Sequence, residues 1–264
     1  DVLTFMVGKM FICILIFTIM GKIVAIGGGE VRNLETLSID SKILELSGVD
    51  IPKVLFLPTA SMDAEEYIES FERVYIEELG ADATTLRLWV KKPSKEEVRT
   101  RILESDIIYV GGGDVEKMFK KWKEYGVDKV LKEAYEKGIV MSGLSAGAVC
   151  WCNNMFIDYD KEDGSVGYKF YKGLNLVDIN LGVHRDEDKV GMKHLDESRD
   201  KSDKWLLLDN NSAIEIVDDQ FKILSSGGSA YLLQGENETK LEVRDEYLNI
   251  NKLCYFPAYH ISRL

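Results

Sequence analysis

From Lys22 onward the chain alternates short apolar runs with longer stretches in which apolar residues recur every three or four positions. Short runs of β-branched and aliphatic residues bounded by Gly or Pro predict buried strands, and the longer period predicts helices with one apolar face. The strands so predicted are "KIVAIGG" (22–28), "VLFLPTA" (54–60), "ATTLRLW" (83–89), "DIIYVGG" (106–112) and "GIVMSGLS" (138–145). Between the second and third, Ile68, Phe71, Tyr75 and Leu79 share one stripe of a helix expected over 63–80, with Gly80 as its stop. Ser94 and Glu97 have the spacing of a capping box, so another helix opens there. Segment 115–138 is helical in period but contains Gly126, which predicts two helices with a break.

Strands and helices in alternation imply parallel strands joined by crossover helices, hence an α/β fold with a mostly parallel sheet flanked by helices. After Trp151 the pattern loosens. "NNMFIDYDKEDGSVGYKFYKGLNLVD" reads as a Gly- and Asp-rich loop, followed by β-like runs "WLLLDN", "SAIEIV" and "FKILSS". With no Pro-rich linker and no internal repeat, this part is expected to complete the same sheet, and residues 20–264 to form a single α/β domain. Ahead of it, "MFICILIFTIM" (10–20) is too short to span a bilayer. It has the length of a signal-peptide core, but the adjoining "GKIVAIGGGE" reads as a core strand without a small-x-small cleavage site. Residues 1–19 are therefore expected to be an apolar extension upstream of a start at Met20, in a cytoplasmic protein. A membrane anchor or an export leader is the alternative.

Charge and cysteine usage narrow the function. The 33 basic and 45 acidic residues give −12, with the acids spread along the chain, so nucleic acid is not an expected partner. Cys13, Cys150, Cys152 and Cys254 form no C-x-x-C pair and no metal-ligand spacing with the three histidines. A reducing compartment, no metal and no cofactor are expected.

The chemistry gathers at "MSGLSAGAVCW" (141–151). In G-x-S-x-G the glycines allow a sharp strand-to-helix turn that displays the serine at the carboxyl end of a strand, which makes Ser145 a candidate nucleophile. "YVGGGDVEKMF" (109–119) ends the preceding strand in the same way and would bring Gly111, Gly112 and Gly113 beside Ser145. An exposed backbone N–H of this turn could then serve as one half of an oxyanion hole, with the amino terminus of the helix after Ser145 as the other. A phosphate cradle is the rival reading. Neither the Walker pattern nor a full G-x-G-x-x-G occurs there or at "AIGGGEVRN". A serine needs a base. His184 follows an apolar strand-like run and is the first candidate; His194 lies in the charged "GMKHLDESRD", and His260 is close to the carboxyl end. The acid that orients the imidazole is Asp209, in "WLLLDNNSA", or Asp158 or Asp160 in the loop after Ser145.

With "YVGGGDVEKMF", "GLSAGAVCW" and "WLLLDNNSAIEI" in hand, the chain resembles the serine peptidase family of aspartyl dipeptidase (peptidase E) and cyanophycinase. The resemblance runs from about Gly21 to Leu233, and "GGGD" some thirty residues before "GLSAGA" is its most specific part. It implies a fold related to class I glutamine amidotransferases, with Ser145 on the nucleophile elbow and the glycines Gly112 and Gly113 with Ala146 at the oxyanion hole. It also implies acyl-serine hydrolysis of a small peptide substrate, either Asp-Xaa dipeptides in the peptidase E manner or β-aspartyl linkages in the cyanophycinase manner. Arg199, with Arg185 as its rival, would then read an acidic side chain. A non-catalytic binding module on the same scaffold is the reading from a different class, favoured if His184 and His194 both lie far from Ser145.

Overall fold

The structure, a computed structural model, describes residues 21–253. The apolar run at 10–20, Cys13, Cys254 and His260 lie outside them. The first half alternates as its sequence period requires: β1 (Lys22–Ile26), α1 (Leu37–Ser47), β2 (Lys53–Leu57), α2 (Glu65–Arg73), β3 (Asp82–Thr85), α3 (Lys95–Leu103), β4 (Ile107–Val110), α4 (Val115–Tyr125), α5 (Val127–Glu136), β5 (Val140–Leu144) and the single turn α6 (Ala146–Val149). The second half is richer in strands: β6 (Cys152–Asp160), β7 (Val166–Lys172), β8 (Val177–Gly182), α7 (Lys189–Ser198), β9 (Lys204–Leu208), β10 (Ser212–Val217), β11 (Gln220–Ser225), β12 (Ala230–Gln234), β13 (Asn237–Leu241) and β14 (Leu248–Asn249).

Eight strands form one sheet in the order β14-β11-β10-β1-β5-β4-β2-β3. Its five strands from the first half run parallel, and β10, β11 and β14 add an antiparallel flank. Both faces of the parallel part are covered, which is why these strands read as continuous apolar runs rather than alternating ones. On one face Val24, Ile26, Val54 and Phe56 pack against Ile68, Phe71 and Tyr75. On the other, Ile23, Ala25, Leu55 and Leu57 belong to a core that also takes in Trp122, Leu131 and Trp151.

Several expectations are met residue by residue. Ser94 Oγ accepts from the Glu97 N–H at 3.1 Å and opens α3, and Gly126, at φ 75°, separates α4 from α5. Others change. The helix expected over 63–80 starts at Glu65 and widens into a π-helical turn over Val74–Glu78. β3, the sheet edge with β2 as its one partner, stops at Thr85, and the chain then turns so that the Trp89 N–H reaches Asp63 Oδ2 at 2.7 Å.

The region after Trp151 differs most from its sequence reading. The segment expected to be a loop is the β6–β7 hairpin, with Phe156 opposite Phe170. Its Asp and Gly residues obscure an alternation in which Phe156, Tyr168 and Phe170 share contacts across the pair. The later runs also do not all complete one sheet. β10, β11 and β14 do, whereas β6 to β9, β12 and β13 build a second sheet of six strands in the order β13-β12-β9-β8-β6-β7. Met155, Ile179, Leu181, Leu206 and Leu208 carry the main core on into this second sheet.

Candidate active site

Ser145 sits between the last residue of β5 and the first of α6, at φ 57° and ψ −114°. Such a backbone is strained for a residue with a side chain and persists only where its surroundings enforce it. The flanking glycines show how. A Cβ on Gly143 would lie 2.4 Å from the Gly147 carbonyl oxygen, and one on Gly147 would lie 2.0 Å from that of Val110. Only a bare backbone allows strand and helix to close this tightly, and the Ser145 N–H, bonded to the Ile26 carbonyl at 3.0 Å, pins the turn to β1.

His184 lies two residues beyond β8, at φ 56°. Its N–H donates to the Gly27 carbonyl at 3.2 Å, and the next N–H, of Arg185, to that of Leu208 at 3.1 Å. The ends of β1 and β9 thus hold the imidazole in place. Its Nε2 is 2.8 Å from Ser145 Oγ, and its Nδ1 is 2.7 Å from Asn210 Oδ1. One tautomer fits both partners: Nδ1–H donates to the amide oxygen and Nε2 accepts from the serine hydroxyl. Asn210 is itself fixed, since its N–H donates to Asp186 Oδ1 at 2.8 Å.

Asn210 therefore stands where the sequence reading places Asp209. The Asp209 side chain turns the other way and accepts from Arg185 Nη1 at 3.2 Å, because successive residues at a strand end point to opposite sides. Asp158 and Asp160, on β6, line a cleft together with Ser145 and His184, but neither makes a hydrogen bond to the imidazole. His194, on α7, stacks against Tyr168 with ring centroids 5.2 Å apart and does not reach Ser145. Arg185 is held by Asp209 and Glu238 over the Tyr231 ring. The Arg199 side chain is fully buried and bonded to Asp196 and the Gly235 carbonyl, so neither arginine lines a cleft at Ser145.

The "GGGD" turn does lie beside the serine: a Cβ on Gly112 would sit 3.3 Å from Ser145 Cβ. The Gly112 N–H donates to Tyr67 Oη at 3.3 Å. The N–H groups of Gly113 and Ala146 have no acceptor among the described residues. Two clefts, each of about 640 Å³, share Ser145, His184, Gly113 and Glu187 in their walls. Glu30, Arg32, Glu66 and Tyr67 bound the first; Asp114, Asp158, Asp160, Tyr168 and Asp188 bound the second.

Residues 23–224 match the model of peptidase family S51. The chain belongs to this family. Over 228 residues it is 32% identical to the uncharacterised peptidase YgaJ of Bacillus subtilis strain 168, covering 83% of this chain and 95% of that protein. Among solved structures, a peptidase from an acI-B1 Actinobacterium superposes with a TM-score of 0.69 at 16% identity, over 88% of this chain and 98% of the other. A Listeria monocytogenes EGD-e protein provisionally described as peptidase E superposes with a TM-score of 0.60 at 24% identity, over 78% and 98%. At these identities the two structures speak for a shared fold. The S51 assignment makes the protein a peptidase, with an α/β fold whose first sheet is mostly parallel.

Two residues of this candidate site escape the sequence reading. Asn210 is overshadowed by the carboxylate next to it, although a His–Asn pair can orient an imidazole as a His–Asp pair does. Gly28 sits in "IGGGE", which reads as a phosphate turn without its full motif. A Cβ there would lie 1.9 Å from Asn210 Oδ1 and 2.6 Å from the His184 ring, so this glycine makes room for the His184–Asn210 hydrogen bond. The sequence signal for it is only a glycine run at the end of the first strand.

Proposed function

We propose that the protein is a serine-type peptidase that hydrolyses short peptides through an acyl-Ser145 intermediate. The observation that carries this reading is the 2.8 Å hydrogen bond between His184 Nε2 and Ser145 Oγ, on a strained elbow in the shared wall of two clefts. As Oγ attacks the peptide carbonyl carbon, its proton passes to His184 Nε2 and the carbonyl π pair moves onto oxygen. The N–H groups of Gly113 and Ala146 are the donors at hand for that oxyanion. Collapse expels the amine, which takes the proton from His184. A water molecule then attacks the acyl-enzyme with His184 again as base, releasing the acid and restoring the serine. Asn210 holds the imidazole in its working tautomer and takes no proton.

A non-catalytic binding module calls for both nearby histidines to stand away from Ser145, and the His184 contact favours the enzyme instead. For substrate choice, the lining of the clefts argues against the acidic peptides suggested by family resemblance. Among the described residues, Arg32 is the one Lys or Arg side chain in either wall, and it is tied to Glu30 at 3.1 Å. Neutral or cationic short peptides suit these walls better than Asp-Xaa.

Fluorophosphonate labelling with mapping of the modified residue tests the nucleophile. Ser145 is expected to carry the label, and Ser145→Ala to lose on the order of 10⁴- to 10⁶-fold in kcat while keeping its fold. A folded Ser145→Ala variant with more than a tenth of wild-type activity would exclude Ser145.

A further inference from the structure

Tyr67 lies on α2, in the wall of the cleft that holds Ser145. Its ring meets Phe56 edge-on, with centroids 5.1 Å apart and planes at 76°. A Cβ on Gly111 would come within 2.9 Å of the same ring, so the absence of a side chain there lets the ring close onto the end of β4. The next N–H along the chain, from Gly112, donates to Tyr67 Oη at 3.3 Å. Gly112 is also the glycine that lies against Ser145. The phenol thus accepts one hydrogen bond beside the nucleophile, while its own proton has no acceptor among the described residues.

Packing alone does not account for this arrangement. A phenylalanine would satisfy Phe56 and Gly111 equally well, whereas the tyrosine sets a hydroxyl in the cleft wall beside the glycine that touches Ser145. An O–H that accepts from an N–H is polarised into a stronger donor. We infer that the Tyr67 hydroxyl is a third donor of the oxyanion site, reaching the substrate carbonyl oxygen alongside the N–H groups of Gly113 and Ala146. The inference rests on the serine peptidase reading above.

During attack the Ser145 Oγ–C bond forms, the carbonyl π pair becomes the oxyanion, and the serine proton goes to His184. Tyr67 gives a hydrogen bond and keeps its proton throughout. Burial pushes its pKa up to about 12, which the Gly112 N–H lowers only in part, so the phenol stays neutral at any working pH. Because negative charge builds on the carbonyl oxygen, this donor interacts more strongly with the transition state than with the bound substrate. Its loss should therefore fall on kcat.

Tyr67→Phe keeps the ring and removes one oxygen. Expected are an unchanged thermal midpoint, a fall in kcat on the order of 10- to 10³-fold and a KM within about threefold of wild type. Phosphonylation of Ser145 by the fluorophosphonate should slow by a similar factor, since the phosphoryl oxygen takes the oxyanion's place. Unchanged kcat and labelling rate, or a rise in KM at constant kcat, overturns the inference while leaving the Ser145 peptidase intact. A wild-type protein that never labels at Ser145 removes the peptidase reading, and the inference with it. A drop in thermal midpoint matched by loss of activity at every temperature would make the hydroxyl structural and equally overturn it.

Discussion

A Cβ on Gly28 would overlap both members of the His184–Asn210 pair, so the tolerance of this site is set by single atoms. The same holds for the choice between Asp209 and Asn210. Asp209 is 8% exposed and spends its carboxylate on Arg185, whereas the Asn210 amide oxygen receives the imidazole Nδ1–H at 2.7 Å. Removing that acceptor frees the ring to rotate and to change tautomer. Asn210→Ala should lower kcat on the order of 10²- to 10⁴-fold, the range associated with a positioned general base. Asn210→Asp, which keeps an acceptor in place, should retain most of the activity, and Asp209→Asn should leave kcat within a few-fold. Steady-state kinetics of the three variants decide it. Loss in Asp209→Asn as severe as in Asn210→Ala would return the role to the carboxylate.

Between α1 and the π-helical turn after α2, the packing encloses a carboxyl group. Asp40 is buried, with Thr36 Oγ1 donating to Oδ2 at 2.7 Å and Tyr75 Oη to Oδ1 at 2.8 Å. Burial raises its pKa from 3.8 to about 6, and the two hydrogen bonds offset only part of that shift. The folded state therefore holds this proton more tightly than the unfolded chain. Stability is highest where both states are protonated, below about pH 4, and is lost as pH rises through the folded-state value near 6. A shift of this size corresponds to at most about 3 kcal/mol at ~1.36 kcal/mol per unit. Asp40→Asn should remove this decline, giving urea midpoints that change less between pH 4 and 7 than those of wild type. Parallel pH profiles for the two proteins would show that Asp40 does not contribute it. Tyr75, bonded to this carboxyl, and Tyr109, whose ring meets that of Tyr75, are themselves pushed well above the usual phenol range by burial, so they stay neutral across this window.

Across the whole molecule, eight of the acidic residues behind the −12 net charge line the two clefts, against a single arginine among the described residues. Asp114 is paired with Lys117, but Asp158, Asp160 and Glu187 have no ion-pair partner among the described residues. Walls of one sign raise the local concentration of oppositely charged ligands and repel like-charged ones. Peptides with Lys or Arg beside the cleaved bond should therefore show higher kcat/KM than Asp-Xaa peptides, with a gap that narrows as salt shortens the screening length. Asp158→Asn with Asp160→Asn should narrow it further. Faster cleavage of Asp-Xaa, at low salt and in the double variant alike, would refute electrostatic selection by these walls. Among the described residues no helix is long and apolar enough to cross a membrane.

The parallel half of the fold was legible because its strands are buried on both faces and its helices on one, so burial imposes a period on the sequence itself. The elbow was legible for a related reason. Gly143 and Gly147 cannot bear a Cβ, and that prohibition appears directly as residue identity. The β6–β7 hairpin and the division of the later strands between two sheets were not legible, since pairing depends on which distant strand lies alongside, and "SAIEIV" and "WLLLDN" look alike while joining different sheets. Composition could nominate three histidines and many acids, but not which of them meet. Ser145, His184 and Asn210 come from the ends of β5, β8 and β9, and only the packing of the two sheets on one core brings those ends to a single point. Local chain chemistry determined the turn that displays the serine; the long-range register of the strands decided that an amide, rather than the neighbouring carboxylate, faces its histidine.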